Sequence, residues 1–135
     1  MPNARVLVVD DEDRLRDLLV AVLQDAGYTA DGVASGEEAL ARVGAARPDL
    51  IILDMLMPDV DGFEFLARLR AGPLHSAVPV LINSALGGTL ARAIEPASAD
   101  TLGIVGVLAK PVSIEVLLER VRAVIGPGCV GSLGE

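Results

Sequence analysis

The chain has 135 residues, the length of one ordinary domain, and 52% of them are hydrophobic, which is enough for a buried core. Nineteen acidic residues against eleven basic ones give a net charge of −8, which disfavours direct binding to nucleic acid or to an anionic membrane. No apolar run approaches the roughly 20 residues of a membrane span, and the single cysteine and histidine, Cys129 and His75, cannot form a disulfide or a zinc site unaided. We therefore expect a cytoplasmic protein of one domain.

The hydrophobic pattern alternates along the chain between short apolar runs and stretches with helical spacing. The predicted strands are Arg5–Asp10, Tyr28–Val33, Leu50–Asp54, Val78–Asn83 and Ile104–Ala109. The predicted helices cover residues 15–23, 35–43, 63–69, 89–95 and 113–125. Ser35 and Ser113 are expected to cap the second and the last of these helices. Residues 126–135 are rich in glycine and are typical of a flexible tail or the start of a linker.

Five short apolar strands that alternate with five helices favour a parallel sheet with helices on both faces. Right-handed crossovers and one reversal of winding direction then give a doubly wound α/β fold. In such folds the carboxyl ends of the strands form the functional edge of the sheet. The residues that directly follow the strands are therefore the candidates for a site.

Charged and polar residues occupy these predicted strand ends. They are Asp10, Asp11, Glu12, Asp54, Ser84 and Lys110. Carboxylates gathered at one edge would repel one another unless a cation neutralises them, and Mg²⁺ prefers such oxygen ligands. A bound cation, Lys110 and the Ser84 hydroxyl would attract a phosphoryl group, and a carboxylate that faces it is a candidate nucleophile.

The lysine itself is unusual in this composition. Ten of the eleven basic residues are arginine, and the one lysine, Lys110, is followed by Pro111. A compact ammonium group suits a phosphate or carboxylate partner where the fork of arginine would not fit. Codon bias and chance are the alternative explanation. Taken singly, the other residues also have plain alternatives: Asp10 and Asp11 as helix caps, Asp54 as a loop acid and Ser84 as a turn residue.

In four motifs the chain resembles the receiver domain of response regulators in two-component signalling. The motifs span residues 6–12, 50–62, 79–85 and 110–111, and the similarity runs from about Arg5 to Ile125. The stretch Asp54-Met-Leu-Met-Pro-Asp-Val-Asp-Gly62 is the most specific of them. The resemblance implies a receiver domain over residues 4–125 with a flavodoxin-like sheet of strand order 2-1-3-4-5, flanked by five helices.

The resemblance also implies roles for individual residues. Asp54 would accept a phosphoryl group from the phosphohistidine of a histidine kinase or a phosphotransfer protein, assisting its own phosphorylation without being an enzyme on other substrates. Mg²⁺ would be held by Asp10, Asp11, Asp54 and the backbone carbonyl of Leu56. Lys110 would contact the phosphoryl oxygens, and Ser84 would hydrogen-bond the phosphate and report its arrival to a downstream effector or output domain.

Three departures from the family pattern affect these expectations. Receivers commonly carry Tyr or Phe three residues before the lysine, where this chain has Val107. The stretch 86–106 is apolar and rich in glycine, which favours either a variant helix or a partner-binding surface on helix four and strand five. Leu56 and Leu86 stand where side chains influence the hydrolytic water, so we expect slow autodephosphorylation.

Three other functions are alternatives to this one. A phosphohydrolase of the haloacid-dehalogenase family requires Asp-x-Asp after strand one, where this chain has Asp10-Asp-Glu12. A flavodoxin-like cofactor binder is disfavoured because the chain has no tryptophan and one tyrosine to stack on a flavin. A pseudo-receiver, which binds partners without phosphorylation, stays open because of Val107.

Overall fold

The computed structural model describes residues 4–56, 62–72 and 78–127 of the chain. Within them the strands are β1 (Arg5–Val9), β2 (Thr29–Val33), β3 (Leu50–Leu53), β4 (Val80–Ser84) and β5 (Ile104–Ala109). The helices are α1 (Asp13–Asp25), α2 (Gly36–Ala45), α3 (Gly62–Ala71), α4 (Gly87–Ala93), α5 (Pro96–Leu102) and α6 (Ile114–Ile125). No helix in these ranges has the length and apolarity needed to cross a membrane.

The strands form one sheet in the order β2-β1-β3-β4-β5, and every neighbouring pair is parallel. This arrangement confirms the predicted doubly wound fold. The serine caps of the helices are also as predicted, since Ser35 accepts from the Glu38 N–H and Ser113 accepts from the Val116 N–H.

The two faces of the sheet pack into two separate cores. One core joins the sheet to α2, α3, α4 and α5, and it includes Val43, Phe65 and Leu69. The other joins the sheet to α1 and α6, and it includes Leu19, Leu23 and Leu117. Because strand residues alternate between the faces, the buried apolar residues of each strand divide between the two cores.

The connection between β4 and β5 differs from the single helix predicted over residues 89–95. It contains two short helices, α4 and α5, with Ile94 and Glu95 between them. Glu95 has an extended backbone, with φ −75° and ψ 146°, and precedes Pro96. A helical conformation is disfavoured for a residue before proline because the proline ring contacts it. Glu95 therefore stays extended between the two helices, and Pro96 begins the second one.

Candidate functional site

Asp10 and Asp54 lie side by side just beyond neighbouring strands. The Asp10 N–H donates to the Val33 carbonyl at 3.1 Å, and the Asp54 N–H donates to the Val9 carbonyl at 3.0 Å. These bonds extend the hydrogen-bond ladder of the sheet by one residue, so the backbone of both aspartates is held by the fold. Both residues are buried, with exposed fractions of 2% and 6%.

Lys110 follows the edge strand β5, and its side chain bridges the two carboxylates. Its backbone N–H donates to the Ser84 carbonyl at 2.9 Å, and its Nζ lies 2.8 Å from Asp10 Oδ2 and 3.0 Å from Asp54 Oδ2. Partial burial lowers the pKa of Lys110, but hydrogen bonds to Asp10 and Asp54 and attraction to their charges outweigh burial and raise it above the ordinary value of 10.5. The ammonium group is therefore charged at neutral pH.

Asp11 completes an acidic cluster with the two buried aspartates. One carboxylate oxygen from each of Asp10, Asp11 and Asp54 lies within 4.8 Å of the other two. In octahedral Mg²⁺ coordination, with Mg–O bonds of about 2.1 Å, adjacent ligands are about 3 Å apart and opposite ligands about 4.2 Å apart. The three carboxylate oxygens are of the type that Mg²⁺ prefers, and their side chains would draw closer together to bind one ion.

Short local hydrogen bonds orient the buried carboxylates. Asp54 Oδ1 accepts from the Leu56 N–H at 3.0 Å, and Asp10 Oδ1 accepts from the Glu12 N–H at 2.9 Å. Glu12 is the residue before α1 and makes no side-chain cap of its own. Asp10 therefore satisfies one backbone donor at the start of α1 as well as binding Lys110, so the helix-cap alternative and the site interpretation both describe part of its role.

Arg16 supports the same loop, although it is not among the site residues predicted from the sequence. Its Nη1 donates to the Asp10 carbonyl at 3.0 Å, and its Nη2 lies 2.9 Å from Asp13 Oδ1. The available signal was its spacing, since Arg16 lies on the first turn of a helix that directly follows the acidic motif. Tertiary contact with the backbone of Asp10 cannot be deduced from that spacing alone.

Ser84 lies at the end of β4, and its hydroxyl is engaged by the backbone that follows the strand. The residue is fully buried, and Ser84 Oγ accepts from the Leu86 N–H at 3.3 Å. Val107, where receivers commonly carry an aromatic residue, is partly buried and packs on the core formed with α2 to α5. By strand alternation Ser84 and Val107 lie on the face of the sheet that packs on this core. Asp54 follows Leu53, which lies on that face, so Asp54 points to the opposite face.

The remaining candidate residues are placed as follows. The side chains of Leu56 and Leu86 are half-exposed, at 50% and 46%. Glu12 Oε1 lies 3.8 Å from Lys110 Nζ at the solvent side of the site. His75 and Cys129 lie outside the residues that the structure describes.

Comparison with known proteins identifies relatives along most of the chain. Residues 6–122 match the response regulator receiver domain family. The chain is 38% identical over 121 residues to the transcriptional regulatory protein TcrA of Mycobacterium tuberculosis, covering 90% of this chain and 46% of that protein. It is 35% identical over 121 residues to the DNA-binding dual master transcriptional regulator RpaA of Synechocystis, covering 90% and 48%. The chain thus spans about half the length of the curated relatives it matches.

A solved structure shows the same similarity in three dimensions. The chemotaxis response regulator CheY4 of Vibrio cholerae superposes with a TM-score of 0.78 at 36% identity, covering 90% of this chain and 98% of that one. The family match extends from β1 into α6 and includes all four strand ends that supply Asp10, Asp54, Ser84 and Lys110. The chain therefore belongs to the response regulator receiver domain family.

Proposed function

We propose that this chain is a magnesium-dependent phosphoacceptor of a two-component phosphorelay, with Asp54 as the residue that takes the phosphoryl group. One observation carries the proposal: Asp54 is a buried carboxylate held by the Leu56 N–H and by Lys110 within a cluster of three acids. Asp10 makes a similar pair of contacts, with Lys110 and with the Glu12 N–H. The acceptor role is assigned to Asp54 because it opens the motif of residues 54–62 that resembles the phosphoacceptor motif of receiver domains.

The acidic cluster would hold the cation through Asp10, Asp11, Asp54 and the backbone carbonyl of Leu56. Bound Mg²⁺ would supply positive charge to the oxygens of the incoming phosphoryl group. The protein provides the rest by position, because Lys110 keeps its ammonium charge beside Asp54 and can contact phosphoryl oxygens.

Transfer from a histidine kinase or phosphotransfer protein would then be one displacement at phosphorus. A carboxylate oxygen of Asp54 forms the new bond to phosphorus, and the bond to the imidazole nitrogen of the donor's phosphohistidine breaks. The electron pair of that bond stays on the imidazole. The chain would promote only this reaction and the hydrolysis of its own phosphoaspartate.

The output side of the proposal rests on the neighbourhood of Ser84. The start of α4 is pressed against β5, because a Cβ added to Gly87 would lie 2.6 Å from Ala109 Cα. Gly87 follows Ser84 by three residues, so a movement of the Ser84 hydroxyl toward a phosphate would be transmitted to α4. The surface of α4 and β5, where Val105 is 48% exposed, would present the change to a downstream effector or output domain.

The test is intact-mass measurement after incubation with acetyl phosphate, with and without Mg²⁺. We expect a phosphoryl adduct that needs Mg²⁺ and is absent from the Asp54→Asn variant. The Asp31→Asn variant is the matched control, because Asp31 is a half-exposed acid on β2 outside the cluster, and it should keep the adduct. A wild-type chain that binds Mg²⁺ but takes no phosphoryl group from acetyl phosphate or from phosphoramidate would contradict the proposal. That result would favour the pseudo-receiver, which no contact in the described site supports.

The lifetime of the adduct is a separate prediction. The side chains of Leu56 and Leu86 are half-exposed and apolar, so they offer no hydrogen bond to orient a water toward phosphorus. We expect slow loss of phosphate from the isolated chain and loss at least about tenfold faster in the Leu86→Asn variant. Val105→Asn introduces the same amide at an exposed apolar position on β5 and should leave the rate unchanged. Rapid Mg²⁺-dependent loss from the wild-type chain would contradict this prediction.

A further inference from the structure

Asn83 is a buried polar residue without a hydrogen-bond partner. It is 2% exposed, and neither its Nδ2 nor its Oδ1 has a partner among the described residues. The preceding residues of β4, Val80, Leu81 and Ile82, are buried and apolar. A buried amide that makes no hydrogen bond destabilises a fold, so its presence in this strand calls for a function.

The register of the sheet places Asn83 next to the acidic cluster. Leu53 of β3 pairs with Ile82 of β4, so Asp54 and Asn83 follow as the next pair, on the same face of the sheet. Asn83 itself pairs with Leu108 of β5, two residues before Lys110. Because β4 lies between β3 and β5, the Lys110 side chain must cross the end of β4 to reach Asp54 and Asp10. Asp10, Asp54 and Asn83 each follow a strand residue of the opposite face, so by alternation all three point to one face, and Lys110 Nζ contacts the two carboxylates there.

Carboxylates occupy two of the three hydrogen-bond donors of Lys110 Nζ. Its ammonium group has three N–H donors, and two of them serve Asp10 Oδ2 at 2.8 Å and Asp54 Oδ2 at 3.0 Å. The nearest other acid, Glu12, is 3.8 Å away, which is too long for a hydrogen bond. Lys110 is largely buried, with 15% of its side chain exposed, so water offers few substitutes.

The two partners of Lys110 are also carboxylates that a divalent cation would take. Asp10 and Asp54 belong to the acidic cluster, so binding of Mg²⁺ would draw their oxygens toward the ion and repel the ammonium group. Lys110 would then need another acceptor within its reach. The Asn83 carbonyl oxygen lies on that side of the sheet and is unused.

We propose that Asn83 is a positioning residue that accepts a hydrogen bond from Lys110 when Mg²⁺ binds, and so holds the ammonium group beside Asp54. The inference rests on the proposed Mg²⁺-dependent function. It names the residue that would accept a hydrogen bond from Lys110 once the cation binds Asp10 and Asp54. In the cation-free chain Asn83 Oδ1 has no partner among the residues that the structure describes, and in the Mg²⁺-bound chain Lys110 supplies one.

The test compares wild type with the Asn83→Leu variant, which has a similar volume and no amide. Without Mg²⁺ the variant should unfold at a higher temperature, because a buried unpaired amide is removed. Its affinity for Mg²⁺, measured by isothermal titration calorimetry, should be about tenfold weaker, since one hydrogen bond to a charged group is lost in the bound state. In a Lys110→Ala background the same substitution should leave the affinity for Mg²⁺ unchanged.

A matched control separates positioning from packing. Ile82→Val removes one methylene group from the same strand on the opposite face, so it should lower the unfolding temperature and leave Mg²⁺ affinity unchanged. A measurement on wild type needs no variant: the side-chain NH₂ resonances of Asn83 should shift as Mg²⁺ is added, in step with calorimetric saturation.

The outcomes distinguish this inference from the proposed function. If wild type binds no Mg²⁺ and takes no phosphoryl group, the proposed function fails and the inference fails with it. If wild type does both, but Asn83→Leu binds Mg²⁺ as wild type does or weakens it equally in the Lys110→Ala background, only the inference is overturned.

Discussion

Lys110 acts in the cation-free chain as the counter-ion of two buried carboxylates. Removing one partner of a buried ion pair leaves the other charge buried and unneutralised, which is costly even where the pair itself contributes little. Lys110→Ala should therefore lower the free energy of unfolding by about 3 kcal/mol in the absence of divalent cations.

Adding Mg²⁺ should recover much of this loss, because an ion that binds only the folded chain stabilises it by mass action. Thermal unfolding of wild type and variant, each with and without Mg²⁺, measures both effects. Arg68→Ala is the control, since its pair with Glu64 at 3.2 Å is half-exposed and should contribute at most about 0.5 kcal/mol. Equal stability of the two variants without Mg²⁺ would contradict this role of Lys110.

Residues of the candidate site differ in how far they could be predicted. Asp10, Asp11, Asp54 and Lys110 follow short apolar strands, so their meeting at one edge follows from parallel pairing alone. The missing partner of Asn83 could not be predicted, because it depends on which side chains surround it after folding. The signal in the sequence is that Asn83 is a polar residue next to an apolar run, and this is equally typical of the end of a strand.

At the scale of elements, the α5–β5 junction depends on the backbone of Gly103. Gly103 has φ +73°, and a Cβ at this position would collide with the guanidinium group of Arg70. That group donates from Nε to the Leu102 carbonyl at 2.7 Å and from Nη2 to the Val78 carbonyl at 2.6 Å, which ties α3 to the end of α5 and to the segment just before β4.

Gly103→Ala should therefore lower the free energy of unfolding by about 2 kcal/mol, through left-handed strain and displacement of Arg70. Gly88→Ala is the matched substitution, because a Cβ there meets nothing within 4 Å and alanine favours the helix that contains it. Chemical denaturation of the two variants checks the difference. Similar effects of both substitutions would show that Arg70 and the backbone adapt without cost.

Element boundaries could be predicted where one local signal dominates. β5 runs over the predicted residues Ile104–Ala109, and α6 begins after the predicted cap Ser113. The region between β4 and β5 is different, because residues 86–103 carry weak helical periodicity and a proline whose effect depends on the backbone of Glu95. A single helix and two short helices are both compatible with that pattern, and packing on β5 distinguishes them.

At the scale of the whole molecule, Tyr28 joins parts of the chain that are far apart in sequence. Its hydroxyl donates to the Gly126 carbonyl at 2.6 Å across a separation of 98 residues, so the start of β2 is tied to the end of α6. Tyr28→Phe should lower the free energy of unfolding by about 1 kcal/mol, because the ring keeps its packing while the hydrogen bond is lost.

Hydrogen exchange should locate the effect of this substitution in the last turn of α6. The amides of residues 122–126 should exchange faster, whereas those of β1 and β3 should change only as far as global stability does. Unchanged exchange at the end of α6 would show that the helix terminus is held by its other contacts.

Because the two faces of the sheet pack into separate cores, substitutions on the two faces should have different effects. Asn83 and Ser84 are consecutive in β4 but face opposite cores, the first shared with α1 and α6 and the second with α4. In the proposed function, phosphoryl transfer to Asp54 would take place on the face packed against α1 and α6, and Ser84 would respond on the face packed against α4. β4 contributes residues to both faces. In the proposed function, substitutions in the core under α1 and α6 should change the rate of phosphorylation. Substitutions in the core under α4 should change how the surface of α4 and β5 responds to phosphorylation.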